Sequence, residues 1–324
     1  MTTSPSSHAL STAPVLAEVE RSGFVESVHH GIAVVVAADG SITRRIGDVE
    51  VPCFPRSSNK PVQALAMLRA GLDLDGRLLA LAASSHSGED FHLEGVREIL
   101  DGAGLTTDDL QNTPDLPLDA QARAACLAAG RGPESITQNC SGKHAGMLAA
   151  CVAAGWDTKT YRDPQHPLQQ LMASTLQELA GEPVAATGID GCGAPVMAIS
   201  PAGLARAFGR IASAPAGSQE ARIADAIRAH PEYLGGTRRD VTALIRGVDG
   251  LIAKDGAEAV YAVGLADGRG VAVKIADGGE RARAVVLAEL LRQEGVDAPV
   301  LDELAHHAVL GHGEPVGEVR AVGF

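Results

Sequence analysis

Strand-type patterning sits at both ends of this chain and helical patterning fills the middle, an order that few folds can accommodate. Residues 24–28 and 31–38 are rich in β-branched and aromatic side chains. Asp39-Gly40 then signals a hairpin turn, after which 41–47 can return as a strand. From Lys60 to about Val248 the apolar residues recur at helical spacing, over 61–71, 77–83, 91–102, 119–130, 142–155, 166–181, 201–213, 219–230 and 240–247. Many of these stretches end in glycine, as helix C-termini do. Strand patterns resume over 257–266 and 270–275 around a second hairpin signal, Asp267-Gly268. An amphipathic helix follows over 280–295, and a last helix is expected near 301–310. The fold class implied is α/β of the α+β kind: one antiparallel sheet built from the N- and C-terminal segments, with an inserted all-helical lobe. The expected division is a disordered tail over 1–20, a sheet lobe over 21–57 and 249–324, and a mainly helical lobe over 58–248, together one catalytic unit with a ligand cleft between the lobes.

The formal charge of −13 argues against nucleic acid and anionic membrane surfaces as partners. No apolar run reaches the length of a membrane span. The first fourteen residues are rich in Ser, Thr, Ala and Pro and lack the basic and apolar stretches of a signal peptide. Cys53, Cys126, Cys140, Cys151 and Cys192 are odd in number and scattered, which suits a reducing cytoplasm rather than a disulfide framework.

Lysine is scarce. Lys60, Lys143, Lys159, Lys254 and Lys274 stand among 27 basic residues, so arginine fills most cationic positions. Lysine, unlike arginine, can lose its proton in a protein. Ser57 and Lys60 lie three apart, a spacing that on a helix places a hydroxyl and an amine on one face. That pair reads either as a nucleophile with its own base or as a capped helix start with a solvated lysine. Ser84-Ser85-His86-Ser87-Gly88-Glu89 is a polar knot, able to relay protons or to form a capped turn in which Ser87 caps the next helix. Lys254-Asp255-Gly256 precedes a strand, where the lysine serves as a second base or charge, or is an exposed turn residue. Cys140 and Cys192 sit in polar, glycine-containing runs, Asn139 to His144 and Gly188 to Gly193. With Lys143, His144 or Asp190 they form a donor set for zinc, or are unrelated loop thiols. Tyr161 and Tyr233 have no base partner visible in the sequence.

Ser57-x-x-Lys60, the Ser-His-Ser knot and a late Lys-x-Gly follow the order of the serine β-lactamase and penicillin-binding protein superfamily. Asp255 stands where that superfamily has threonine or serine, and the middle motif lacks its Ser-Asp-Asn form. Arg56-Ser57-x-x-Lys60-Pro61-x-Gln63-Ala64-Leu65, Ser85-His86-Ser87-x-Glu89, Asn139-Cys140-Ser141-Gly142-Lys143-His144 and Asp190-Gly191-Cys192 more closely resemble the rhizobial-type, thermolabile L-asparaginase II family, over residues 31–277.

That resemblance implies a serine β-lactamase-like fold, a homodimer and hydrolysis of L-asparagine to L-aspartate and ammonia. It implies two Ser–Lys pairs, Ser57 with Lys60 and Ser85 with Lys254. It further implies zinc on Cys140, Lys143 and Cys192, with Arg56, His144 and Asp190 at the substrate. In the mechanism so implied Ser57 attacks, Lys60 takes its proton under the influence of the Lys254 charge, and Ser85 relays it to ammonia. The alternative makes Ser85 the nucleophile with Lys254 as base. A β-lactamase-like peptidase or esterase and a non-catalytic zinc-binding protein are the rival functions.

Overall fold

The computed structural model of the chain describes residues 5–324. Its strands, in chain order, are β1 (Val15–Arg21), β2 (Phe24–Val36), β3 (Ile42–Ile46), β4 (Ala186–Ile189), β5 (Pro195–Ala198), β6 (Ile252–Gly256), β7 (Val260–Gly264), β8 (Gly270–Ile275), β9 (His307–Gly311) and β10 (Glu314–Ala321). Eight of them form one antiparallel sheet in the order β6-β7-β8-β2-β1-β10-β9, with β3 paired to β2. The long β2 joins the two ends of the chain. Its first half pairs with β1, and its second half lies between β3 and β8, with Gly31–Val36 set against Gly270–Ile275. Both hairpin signals are realised. Gly40 and Gly268 adopt positive φ, which a glycine tolerates without steric cost.

The chain folds into two compact units. The first contains the N-terminal segment to Ser58, Ala198–Ser213 and Ala243–Phe324. It holds the eight-stranded sheet, on which the helices Pro201–Ala212 and Glu280–Gln293 pack. Ala202, Ala205, Ala207, Phe208 and Ile211 form the apolar face that fixes the former helix there. The second unit contains Asn59–Met197 and Ala214–Thr242. It includes the helices Lys60–Arg69, Gly76–Ala82, Asp90–Gly102, Ala120–Ala128, Ser141–Ala154, Pro167–Ala180 and Gln219–Ala229, and the small β4–β5 sheet up to Met197.

The structure differs from the sequence expectations at several places. Pro5–Ser11 is helical and Val15–Arg21 is a strand, in place of the disordered tail expected over 1–20; residues 1–4 lie outside the described residues. Ala17 and Val19 of β1 are fully buried, so apolar burial orders this segment. The helix expected near 301–310 stops at Leu304, and His307–Gly311 is an edge strand. Residues 198–213 belong with the sheet, and the helical lobe also carries a hairpin. Lys254-Asp255-Gly256 lies inside β6 rather than before a strand. Its polar residues mimic a turn in sequence because their charges neutralise each other inside the fold. Ser87 donates to the Gly235 carbonyl, and Glu89, in a capping box with His92, caps the next helix.

Candidate active site

Three segments of the second unit converge on Lys60. The helix that opens at Lys60 buries its whole first turn. The helix Gly76–Ala82, capped by the Asp75 carboxylate, delivers Ser84 and Ser85 just past its C-terminus. The loop before the helix Ser141–Ala154 delivers Cys140. Lys60 Nζ donates to the Ser84 carbonyl at 2.6 Å and to Ser85 Oγ at 2.9 Å, and lies 3.1 Å from Cys140 Sγ. Lys60 is 1% exposed, and no carboxylate is within ion-pair distance of it among the described residues. A lysine is thus buried against a carbonyl, a hydroxyl and a sulfur, with no carboxylate to serve as its counter-ion.

The segments meet because of close helix packing. An added Cβ at Gly142 would overlap the Leu81 carbonyl, so only glycine lets the helix carrying Lys143 approach the one that leads to Ser85. His86 then locks the two loops: its backbone N–H donates to the Asn139 carbonyl, and its Nε2 is 2.8 Å from Ser141 Oγ.

Lys143 lies on that same helix, with its Nζ 3.2 Å from Cys192 Sγ. Cys192 is held in the Asp190–Gly193 turn that joins β4 to β5. A hydrogen bond from Cys192, with the charges of Lys60 and Lys143, holds the Cys140 thiol well below its usual range. Burial alone would pull Lys143 down, but the charges of Cys192, Cys140 and Asp190 outweigh it and keep the amine protonated. The sulfurs of Cys140 and Cys192 and the amine of Lys143 therefore lie close to one another. Among the described residues no group of three or more His, Cys, Asp and Glu is gathered to hold a metal, so a metal here needs the lysine. Two thiolates and a neutral amine suit zinc, provided metal entry displaces the Lys143 proton.

His144 follows Lys143 on the helix and is fully buried. Burial and the charges of Lys143, Lys60 and Arg162 push its imidazole well below its usual pKa. Its Nδ1 is 2.6 Å from Tyr161 Oη, and its Nε2 is buried with no partner among the described residues. Gln63 Oε1 and Ser84 Oγ are likewise buried and unpartnered. Sequence reasoning leaves Tyr161 outside the site, because its partner lies 17 residues away and the pair carries no motif.

In the first unit Ser57 lies in the 3₁₀ turn Arg56–Asn59 that runs into the Lys60 helix. Ser58 closes the turn through its hydroxyl and its N–H, both donated to the Pro55 carbonyl. Arg56, with φ of 51°, occupies the left-handed region, a strain of about 1–3 kcal/mol of the kind that gathers at functional turns. It lies 3.9 Å from Glu258. The end of β6 presses on this turn. A Cβ at Gly256 would come within 2.7 Å of the Pro55 carbonyl oxygen, 3.0 Å of Ser58 N and 3.3 Å of Ser57 N. Lys254, fully buried, donates to the Asp255 carboxylate at 2.8 Å, which also pairs with Arg283 at 3.3 Å. The residue that departs from the β-lactamase pattern thus supplies a counter-ion to Lys254.

Among solved structures, Mglu in its native form is 13% identical, with a TM-score of 0.45 over 89% of this chain and 71% of that one. A β-lactamase from Mycobacterium bovis is 14% identical, with a TM-score of 0.43 over 88% and 98%. A Bacillus subtilis glutaminase in covalent complex with 5-oxo-L-norleucine is 12% identical, with a TM-score of 0.38 over 91% and 92%. No curated protein matches the chain. The profile of the L-asparaginase II family matches residues 17–321. With that match spanning nearly its whole length, the chain belongs to the L-asparaginase II family and is a hydrolase acting on amides.

Proposed function

We propose that the protein hydrolyses L-asparagine to L-aspartate and ammonia through an acyl-enzyme on Ser57. The observation that carries this reading is Lys60, buried at 2.9 Å from Ser85 Oγ without a carboxylate partner and three residues after a serine held in a strained turn. Ser57 Oγ adds to the side-chain amide carbon while Lys60, acting as the base, takes its proton. Lys60 returns that proton through the Ser85 hydroxyl to the departing nitrogen, which leaves as ammonia. Backbone N–H groups of the Ser57 turn hold the oxyanion. Water, deprotonated by the same lysine, then adds to the ester and releases aspartate, restoring the Ser57 hydroxyl.

Lys254 enters as a fixed charge behind the turn that Gly256 touches, with Asp255 and Arg283 holding it in place. Arg56, His144 and Asp190 contribute to binding the substrate's α-amino and α-carboxylate groups. Cys140, Lys143 and Cys192 would hold zinc, and the chemistry a bound zinc supplies there is attraction for one of those polar groups. The working form is proposed to be a homodimer, which sedimentation would check.

The test is ammonia release from L-asparagine and from L-glutamine, before and after treatment with a chelator. Turnover of L-asparagine supports the reading. No ammonia from either amide, with turnover of a p-nitrophenyl ester or nitrocefin, would replace it with a β-lactamase-like peptidase or esterase.

A further inference from the structure

The Tyr161 hydroxyl has two neighbours. The Gln111 backbone N–H lies 3.2 Å away and His144 Nδ1 lies 2.6 Å away. The amide is only a donor, so it occupies a lone pair of the phenol oxygen. The hydroxyl hydrogen is left with one acceptor among the described residues, Nδ1 of His144. An Nδ1 that accepts carries no proton, so the imidazole proton of the neutral ring sits on Nε2. That Nε2–H is buried and has no acceptor among the described residues. Unpartnered buried donors are uncommon and costly, and they mark places where a ligand or water completes the pairing.

The phenol is itself held in place. Gln169 Nε2 donates to the Tyr161 carbonyl at 2.8 Å, and Arg162 Nε donates to Gln111 Oε1 at 3.1 Å, tying the strap 161–162 to Gln111. Tyr161 is fully buried. Nothing in this arrangement serves packing alone, since a phenylalanine would fill the same space.

We infer that Tyr161 is a positioning residue that fixes His144 as the Nε2–H tautomer, so that His144 offers one dry N–H donor to an oxygen of the substrate. The inference rests on the amide-hydrolysis reading for its ligand. It specifies an acceptor, a carboxylate or amide carbonyl oxygen, and excludes the substrate ammonium as the group His144 meets. Charge-assisted bonds of a buried donor to a carboxylate are among the stronger ones, which makes the tautomer matter for binding.

The experiment is nitrogen NMR on the whole protein labelled at the histidine rings, with His144 assigned by the signal lost in His144→Gln. The expected result is a protonated Nε2 and an accepting Nδ1 in the free protein. A protonated Nδ1 would overturn the inference without reference to any variant or activity. Tyr161→Phe is then expected to mix the tautomers and to raise KM for L-asparagine about tenfold, with kcat changed less and metal content unchanged. Mixed tautomers with an unaltered KM would overturn the role in binding. A wild-type protein that releases no ammonia from L-asparagine defeats the function proposed above, and the tautomer measurement still decides the positioning role.

Discussion

Two buried lysines show how this chain uses the same side chain in two ways. Lys254 is fully buried and donates to the Asp255 carboxylate at 2.8 Å, with Arg283 also paired to that carboxylate. Lys60 is equally buried, yet it meets a carbonyl, a hydroxyl and a sulfur. A carboxylate counter-ion fixes a lysine as a cation, because deprotonation would strand a buried negative charge. Lys60 has no such carboxylate, and among its partners only the Cys140 sulfur can carry negative charge. The difference teaches that scarcity and burial alone do not mark a reactive lysine; the absence of a carboxylate partner does.

That contrast is tested first by removing each amine. Lys60→Met should lower kcat for amide hydrolysis by about 10³-fold or more, the range expected when a nucleophile loses its base. The far-ultraviolet spectrum should be unchanged. Lys254→Met should retain a larger share of turnover, and equal losses would erase the contrast. Next in size is Asp255→Asn. It leaves Lys254 and Arg283 buried without their shared carboxylate, and urea unfolding should report a loss of roughly 3–5 kcal/mol. A loss below about 1 kcal/mol, the value of an exposed pair, would mean the carboxylate is not a true counter-ion.

The third prediction concerns pH. Burial pushes the imidazole of His92 down to about 4 from an ordinary 6.5. Its contribution to stability is therefore complete above pH 6.5 and is lost as the pH falls through that window to about 4. There the unfolded chain binds a proton that the native state refuses. The full loss is about 3 kcal/mol. His92→Gln should flatten the dependence of unfolding free energy on pH across this interval, and an undiminished slope would assign it to other groups. Smaller again is Gly256→Ala. Its Cβ would press on the Pro55 carbonyl and on the backbone nitrogens of Ser57 and Ser58, displacing the turn. Displacements of that kind cost about 10²-fold in turnover, so kcat should fall, and an unchanged kcat would separate this turn from the chemistry.

Much of the fold is readable in the sequence where local chemistry and tertiary structure agree. Asp39-Gly40 and Asp267-Gly268 mark real hairpins, and the helices Pro201–Ala212 and Glu280–Gln293 follow their apolar spacing. Disagreement arises where pairing across the chain overrides local pattern. β1 begins beside a Ser/Thr/Ala/Pro-rich start and is ordered by β2 and by β10, which comes from the other end of the chain. β9 lies at a sheet edge with exposed residues and carries no alternating pattern, so 301–310 resembles one helix. β6 hides behind a lysine and an aspartate that neutralise each other.

The site divides in the same way. Ser57, Lys60, Ser85, Cys140, Lys143 and Cys192 stand in motifs and are recognisable there. Their pairings are not legible, because contacts spanning 25, 80 and 49 residues leave no local trace. Lys60, for example, meets Ser85 and Cys140, while the spacing suggests only Ser57. Tyr161 lies outside any motif, and it acquires a partner only once the helix bearing His144 is folded.

The most direct test of the central proposal compares Ser57→Ala with Ser85→Ala in ammonia release from L-asparagine, both proteins confirmed as folded. If Ser57 attacks and Ser85 passes the proton on, Ser57→Ala abolishes measurable turnover, while Ser85→Ala falls by about 10²-fold and retains a residual rate. Near wild-type turnover in Ser57→Ala, with activity lost in Ser85→Ala, would contradict it and make Ser85 the nucleophile beside Lys60.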